Sequence, residues 1–181
     1  MATPAVDPAR YREVIGSFAT GVAIVTAQSD EGPAGLTTNA VTSLSLDPLL
    51  LLVCFDNASR TLPIVEKAGR FAVNVLHAGQ QDLARVFASK RIAEEKFDAA
   101  THTVAHGVPV LDDALAWIAC DLESLTQAGD HSIGIGRVTH LSADDGPAGA
   151  QSSHEPLLFF RGGFARLASR QKPDGRPGTD F

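Results

Sequence analysis

The feature that most constrains the fold of this chain is a run of seven apolar residues, LLLLVCF, at positions 49–55. The run is too short to cross a membrane, because a membrane-spanning helix needs about 20 apolar residues. It contains no polar position, so we predict a strand that is buried on both faces. We expect a second subunit to cover part of the surface of this strand.

The remaining pattern predicts more strands than helices. Helices are expected at residues 8–18, 62–68 and 80–89, the first capped by Asp7 and the second terminated by Gly69. Strands are expected at residues 20–27, 35–46, 49–55, 71–76, 115–122, 131–141, 156–161 and 164–167. The strands at 115–122 and 131–141 are predicted to pair with each other across a turn at Gly129 and Asp130. Residues 90–113 are expected to be irregular. Because two helices lie between strands as crossovers, we expect a mainly β fold, a β-barrel with peripheral helices.

Composition and charge exclude several classes of function. The chain has 181 residues, of which 44% are hydrophobic and 20% charged, as expected for one globular domain. Its 15 Lys and Arg against 21 Asp and Glu give a net charge of −6, which argues against nucleic acid or an anionic membrane as a partner. The first residues, MATPAVDPAR, do not show the basic-then-apolar pattern of a secretion signal, so we expect a cytoplasmic protein.

The cysteines and histidines predict no metal site. Cys54 and Cys120 are too few for a disulfide framework or a four-thiolate zinc site. His102 and His106 have helix-compatible spacing, but no carboxylate or thiolate stands beside them to complete a ligand set. We therefore expect this histidine pair to be solvated.

Two polar clusters flank the apolar run. The first consists of small donors and acceptors: Thr37, Thr38, Asn39, Thr42, Ser43 and Ser45. The second, residues 56–61 (DNASRT), follows the run directly and precedes a predicted helix, whose N-terminal N–H groups attract anions. Together the clusters indicate an anionic, partly planar ligand. The alternatives are a half-exposed strand and an ordinary capping loop with Ser59 as the cap.

A third cluster occupies residues 129–136 (GDHSIGIG). Strand alternation places Ser132, Gly134 and Gly136 on one face, which is then nearly bare of side chains. A bare face admits the close approach of a flat ring, or it marks a tight bend of a barrel. His131 heads this strand and is either part of a ligand site or a polar turn residue.

Several motifs follow one another in order along residues 11–167. They are FATGV at 18–22, GLT at 35–37, SLSLDP at 43–48, FAVNVL at 71–76, GDH at 129–131, GRV at 136–138 and PLLFFRG at 156–162. In this order and spacing the chain resembles the flavin reductase family, the short-chain NAD(P)H:flavin oxidoreductases with an FMN-binding split-barrel fold. Two positions depart from the family pattern: Leu49 replaces a second proline, and Asn39-Ala40-Val41 replaces a Ser-Phe or Ser-Ser pair.

The resemblance also implies a set of site residues. His131 is the implied catalytic residue, beside the nicotinamide. The implied flavin contacts are Gly35, Leu36, Thr37, Asn39, Ala40, Cys54, Phe55, Asp56 and Phe87. Ser59, Arg60 and Thr61 correspond to the phosphate-binding loop, and Phe160, Arg161 and Gly162 to the nicotinamide side.

The function implied by the resemblance is reduction of free FMN or FAD by NADH or NADPH. In such a reaction the cofactors hold the chemistry and the protein orients them, so no nucleophile or metal is needed. The resemblance further implies a homodimer that passes reduced flavin to a separate flavin-dependent monooxygenase. The alternatives are a flavoprotein that keeps FMN tightly bound and serves another acceptor, or a non-catalytic flavin-binding module. We expect the domain to occupy residues 1–168, followed by a disordered tail at 169–181.

Overall fold

The structure is a computed structural model that describes residues 6–143 and 155–167. The helices in these residues are α1 (Pro8–Ile15), α2 (Thr61–Ala68), α3 (Gln81–Ala88) and α4 (Ala93–Phe97). The strands are β1 (Thr20–Gly21), β2 (Ala23–Ser29), β3 (Gly32–Thr38), β4 (Val41–Leu46), β5 (Leu49–Asp56), β6 (Arg70–Val75), β7 (His102–Ala105), β8 (Val108–Leu111), β9 (Ala116–Ala128), β10 (His131–Ala143), β11 (Leu158–Phe160) and β12 (Gly163–Ala165). The predicted loop at 144–153 and the predicted tail at 169–181 lie outside the described residues, so the domain boundary at residue 168 stays a prediction.

A seven-stranded antiparallel sheet forms the body of the molecule, in the order β3-β2-β6-β9-β10-β5-β4. Although β3 and β4 are consecutive in the chain, they lie at opposite edges of the sheet and are not paired with each other. The barrel is therefore open along this line, as in a split barrel. A three-stranded sheet (β1-β11-β12) and the β7–β8 hairpin lie outside it. This architecture confirms the predicted mainly β class with peripheral helices.

The bare face of β10 is filled by core side chains. A Cβ added to Gly134 would lie 2.7 Å from the ring of Phe55, and one added to Gly136 would lie 2.6 Å from the ring of Phe71. Both rings are completely buried and pack edge to face, with centroids 5.9 Å apart. Of the two interpretations of this face, the structure therefore shows the tight packing of a barrel interior rather than a surface for a ligand ring.

Strand β5 is buried on one face within a single chain. Leu51, Val53 and Phe55 are buried in the core, whereas Leu50 and Leu52, which point the other way, are half-buried. The prediction of burial on both faces is therefore wrong for the isolated chain. The second face is apolar but has no covering layer among the described residues of this subunit.

Residues 90–113 are more ordered than expected, since they contain α4, β7 and β8. These elements are short and are fixed by burial of individual side chains: Phe97, Val108, Val110 and Leu111. The predicted strand at 35–46 is divided into β3 and β4, because the chain turns where the Ala40 N–H donates to Thr38 Oγ1 at 3.1 Å.

The ends of two helices follow their predicted signals. The carboxylate of Asp7 accepts hydrogen bonds from the N–H groups of Ala9 and Arg10, at 3.1 and 3.4 Å, and so caps α1. Gly69 ends α2 in a left-handed conformation with φ of 63°. In the described residues, no helix has the length and apolar character needed to span a membrane.

Candidate functional site

A cavity of about 460 Å³ opens between β3, the loop after β5, the end of α3 and the start of β10. We call it the central cavity. It is lined by many of the residues implied by the family resemblance: Leu36, Thr37, Asn39, Ala40, Cys54, Asp56, Ser59, Arg60, Thr61, Phe87 and His131. The remaining lining residues are Thr38, Ala58, Ala88, Ser89, Lys90 and Lys96. Two polar clusters that are distant in sequence thus meet at one site.

The loop between β5 and α2 is held in a fixed shape by its own polar groups. The Asp56 carboxylate accepts from the Ala58 N–H at 2.8 Å, and the Asp56 carbonyl accepts from the Ser59 N–H at 2.9 Å. Ser59 Oγ in turn accepts from the Thr61 N–H at 3.0 Å. Ser59 therefore acts as a turn-stabilising residue at the start of α2, and its O–H remains a donor for a ligand.

Asn57 fastens this loop to the turn between β9 and β10. Its N–H donates to the Asp130 carbonyl at 3.0 Å, and its side-chain oxygen accepts from Ser132 Oγ at 2.7 Å. His131 lies opposite Asp56 in the β5–β10 pairing. These bonds place His131 at the same end of the sheet as the phosphate-loop candidates.

His131 forms a pair with its neighbour Asp130 at the rim of the cavity. The Nδ1 atom of His131 lies 2.8 Å from Asp130 Oδ1, and the histidine side chain is 47% exposed. This hydrogen bond to His131, together with the charge of the imidazole, lowers the pKa of Asp130. Asp130 is therefore a carboxylate at neutral pH, able only to accept, so the hydrogen between the two residues belongs to Nδ1.

Arg60 joins two loops at the cavity wall. Its guanidinium donates to the carbonyl oxygen of Lys90 at 2.5 Å and also to that of Arg91. These bonds hold the segment after α3 against the start of α2. A guanidinium has five N–H donors, so Arg60 retains donors for an anion in the cavity.

Lys96 is the principal residue of this site that the sequence did not reveal. It lies on α4, is 8% exposed, and its Nζ donates to the carbonyl oxygens of Gly35 and Phe87 at 3.1 and 2.9 Å. Burial lowers the pKa of Lys96, and the nearby charge of Arg60 lowers it further. Two cations thus share one wall of the cavity, which is an arrangement that an anionic ligand would stabilise.

Gly35 and Phe55 do not line the central cavity. A Cβ on Gly35 would lie 2.6 Å from the Phe87 ring, so this glycine permits close packing of α3 on β3. The Phe55 side chain is completely buried in the core. For these two residues, a contact with a ligand would have to come from the backbone.

Phe160, Arg161 and Gly162 also lie outside the central cavity. Phe160 is the last residue of β11, and Arg161 and Gly162 form the turn to β12. Gly162 lines a neighbouring cavity that shares Asn39 and Ala40 with the central one. Asn39 is itself held by a 3.0 Å bond from its Nδ2 to Thr20 Oγ1. The residues assigned to the nicotinamide side are therefore adjacent to the central cavity through Asn39 and Ala40.

Fold and cavity together define a split barrel with a cationic cleft at one end of its sheet. Residues 15–168 match the model of the flavin reductase like domain, and the chain belongs to this family. The predicted family membership is confirmed.

Individual relatives agree with this assignment. A probable flavin reductase of Rhizobium meliloti is 42% identical over 91% of this chain, which spans 51% of the length of that relative. The reductase subunit HsaB of a flavin-dependent monooxygenase from Rhodococcus jostii is 39% identical over 92% of this chain and 82% of the relative. The solved structure of the NADH:FAD oxidoreductase SgcE6 of Streptomyces globisporus is similar with a TM-score of 0.80 and 34% identity, and covers 93% of this chain and 100% of its own.

Proposed function

We propose that this chain is an NAD(P)H:flavin oxidoreductase, which reduces FMN or FAD with NADH or NADPH. The observation that carries the proposal is the central cavity, where Arg60, Lys96 and Ser59 meet the polar end of β3 and His131. Family membership and the names of the relatives support the same activity.

The residues present fit a flavin that carries a phosphate. The cavity volume of about 460 Å³ lies within the range of about 300–1,000 Å³ that is usual for small-ligand sites. Lys96 Nζ uses two of its three N–H donors on carbonyl oxygens, which leaves one for the ligand. We infer that Arg60, Lys96 and Ser59 would bind the phosphate, and that Thr37, Asn39 and Cys54 would border the ring.

The chemistry of the reaction is a hydride transfer, which a bound flavin and a nicotinamide supply between them. The protein has to bring the two rings close and hold them, since a misplacement of about 1 Å can slow such a reaction on the order of a hundredfold. His131 suits this positioning role. Because Asp130 holds the Nδ1 hydrogen, Nε2 is the ring nitrogen that remains for a ligand, and it would pair with the carboxamide group of a nicotinamide.

We further propose that the protein is a homodimer. The outer face of β5 is apolar and only half-buried in the described residues, and α1 has no buried residue. Tyr11, Val14 and Phe18 are 61%, 57% and 71% exposed, and Leu46 at the end of β4 is 72% exposed. Apolar surface on this scale is typical of a subunit interface.

The consumer of the reduced flavin is proposed to be a separate flavin-dependent monooxygenase. One relative is named as the reductase subunit of such an enzyme, which supports this partner for the present chain. A cytoplasmic location is part of the same proposal, because NAD(P)H and a partner enzyme must both reach the protein.

The test is NADH and NADPH oxidation by the purified protein, with and without added FMN, FAD or riboflavin. We expect oxidation that depends on added flavin. A protein that stays yellow after gel filtration and oxidises NADH without added flavin would instead be a flavoprotein with a tightly bound cofactor. Flavin binding without any oxidation would show a non-catalytic module and overturn the proposed function.

A further inference from the structure

The backbone and side chain of Asn57 make three hydrogen bonds to the turn that carries His131. The Asn57 N–H donates to the Asp130 carbonyl at 3.0 Å, and its Nδ2 donates to the Gly129 carbonyl at 3.3 Å. Its Oδ1 accepts from Ser132 Oγ at 2.7 Å. The bonded residues stand directly before and directly after His131 in the chain, so Asn57 holds this residue from both sides.

Asn57 belongs to the loop that also carries the candidate phosphate-binding residues. Ser59 and Arg60 follow it closely in sequence, and both line the central cavity. Asn57 itself is exposed and does not line this cavity. Its effect on a ligand in the cavity therefore has to pass through the residues that it holds.

The Ser132 end of this connection is buried. Ser132 is 6% exposed and lies opposite Phe55 in the β5–β10 pairing. A buried hydroxyl that loses its acceptor is destabilising, so the hydroxyl has little freedom to turn away from Asn57. The bond between Ser132 Oγ and Asn57 Oδ1 is therefore a fixed point between the loop after β5 and the start of β10.

The phosphate-binding loop has hydrogen bonds of its own. The Asp56 carboxylate accepts from the Ala58 N–H, and the Asp56 carbonyl accepts from the Ser59 N–H. Ser59 Oγ accepts from the Thr61 N–H. None of these bonds involves the Asn57 side chain. Removal of that side chain should therefore affect the β9–β10 turn more than this loop.

The position of His131, in contrast, depends on the turn. The side chains of His131 and Asp130 are 47% and 95% exposed, so core packing fixes neither of them. Asp130 Oδ1 lies 2.8 Å from His131 Nδ1, and it can hold the ring only if its own backbone is held. Asn57 supplies that support through its bond to the Asp130 carbonyl and through its side-chain bonds to the neighbouring residues.

We propose that Asn57 is a positioning residue for hydride transfer, which fixes the distance between the phosphate-binding loop and His131. The inference rests on the proposed function, in which this loop binds the phosphate of the flavin and His131 orients the nicotinamide. A connection between the two sets the flavin and the donor in register. A misplacement of about 1 Å can slow such a reaction on the order of a hundredfold, so the loss of this connection has a measurable effect on the rate.

The kinetic test compares Asn57→Ala with the wild type in anaerobic stopped flow, at saturating FMN and saturating donor. We expect the rate of flavin reduction to fall about tenfold, while the affinities for FMN and riboflavin change less than twofold. Ser132→Ala should slow reduction by a smaller factor, because the bonds from Asn57 to the turn carbonyls remain. Ser132→Thr keeps the hydroxyl and should retain most of the rate.

Thr139→Ala is the matched control for these variants. It removes a side-chain hydrogen bond to the Ala119 carbonyl from the other end of β10, and it should leave the rate unchanged. Melting temperatures check that each variant is folded. If Asn57→Ala does not fold, Ser132→Ala and Ser132→Thr carry the same comparison.

Two further measurements show whether Asn57 acts through His131. In the His131→Ala background, Asn57→Ala should add less than twofold to the loss of rate, because the residue that it positions is absent. Nitrogen-15 spectra of histidine-labelled protein, recorded above the usual titration range of imidazole, report which ring nitrogen carries the hydrogen. We expect the Nδ1 tautomer of His131 in the wild type and a mixture of both tautomers in Asn57→Ala.

The outcomes separate this proposal from the proposed function. An unchanged rate in Asn57→Ala, or losses that multiply in full in the double variant with His131→Ala, overturn the positioning role. A loss of FMN affinity in proportion to the rate also overturns it, since Asn57 would then only support the loop. A wild-type protein that reduces no flavin overturns the proposed function instead. The tautomer spectra then still test whether Asn57 holds His131, and identical spectra in both proteins contradict it.

Discussion

The Nζ atom of Lys96 donates a hydrogen bond of 2.9 Å to the carbonyl oxygen of Phe87, and this bond joins α4 to α3 at the wall of the central cavity. A second bond, of 3.1 Å, reaches the carbonyl of Gly35 on β3. Lys96 therefore has two roles: it holds three elements together and places a buried positive charge beside Arg60. The charge is costly in the absence of an anion, as the lowered pKa of Lys96 shows.

The first prediction concerns the pH dependence of stability. Because the pKa of Lys96 in the folded protein lies below its ordinary value of 10.5, the unfolded chain binds more protons between these two values. The free energy of unfolding of the wild type should then rise with pH in that window, relative to Lys96→Met. Urea unfolding of both proteins from neutral to alkaline pH measures the difference. Lys67→Met, which removes an exposed lysine paired with Glu31, is the control.

Added inorganic phosphate extends this experiment. If phosphate binds beside Lys96 it favours the charged form, so the rise in stability should move to higher pH in the wild type only. A difference between wild type and Lys96→Met that is flat or falls with pH would contradict the account of Lys96.

The second prediction concerns Arg60. If its guanidinium binds the flavin phosphate, Arg60→Ala removes a charge-assisted hydrogen bond worth about 1.5–3 kcal/mol, and FMN affinity falls roughly tenfold to a hundredfold. Riboflavin, which has no phosphate, should bind almost as before. Fluorescence titrations with both flavins provide the comparison, and Arg137→Ala, whose partner is Glu123, serves as the control. Equal losses for both flavins would show that Arg60 only holds the Lys90–Arg91 loop.

The third prediction concerns His131. His131→Ala should slow flavin reduction at saturating flavin by up to about a hundredfold, because the nicotinamide is less well oriented, while flavin affinity changes little. Asp130→Asn should have a smaller effect of the same kind, since the Nδ1 hydrogen is then no longer fixed by a carboxylate. Both variants should fold, because a substitution in an exposed turn usually costs little stability. Loss of flavin binding in proportion to the rate would instead assign His131 a structural role in the turn.

The fourth prediction concerns the subunit interface. Sedimentation of the wild type at micromolar concentration should show a dimer, because β5 and α1 leave apolar side chains exposed in the single chain. Phe18→Asp and Leu46→Asp introduce charge into this surface and should shift the equilibrium towards monomer without unfolding the barrel. A fully active monomer in the wild type would contradict the proposed dimer.

Much of the fold could be predicted from the sequence, because the signals are local. Asp7 and Gly69 mark helix ends by their own chemistry, and runs rich in apolar and β-branched residues mark β2, β5 and β6. The β9–β10 hairpin was expected from the Gly129-Asp130 turn, and Gly129 has the expected positive φ of 67°. Strand β9 continues to Ala128, past its predicted end at residue 122, because residues 123–128 are mostly polar; β10 exceeds its predicted end at residue 141 by two residues.

The site could be predicted where it follows a motif and not where it depends on tertiary packing. The loop from Asp56 to Thr61 and the GDH turn are each a continuous stretch of sequence. The two stretches meet in the cavity, as the family resemblance implies. Lys96 stands in a polar stretch, AEEK, that resembles a solvated surface, and it is buried only because α4 packs on β3 and α3. The same holds for Gly134, whose bare face is occupied by the Phe55 ring from the neighbouring strand β5.

The central claim is that the cavity of Arg60, Lys96 and His131 supports hydride transfer to flavin. The most direct measurement mixes the protein and FMN with NADH or NADPH under anaerobic conditions in a stopped-flow instrument and follows the yellow absorbance of oxidised flavin. We predict that at least one of the two donors bleaches the flavin far faster than in the same mixture without protein, with a rate that saturates as the donor concentration rises. Bleaching that is equally slow with and without the protein, for both donors and for both FMN and FAD, would contradict the account.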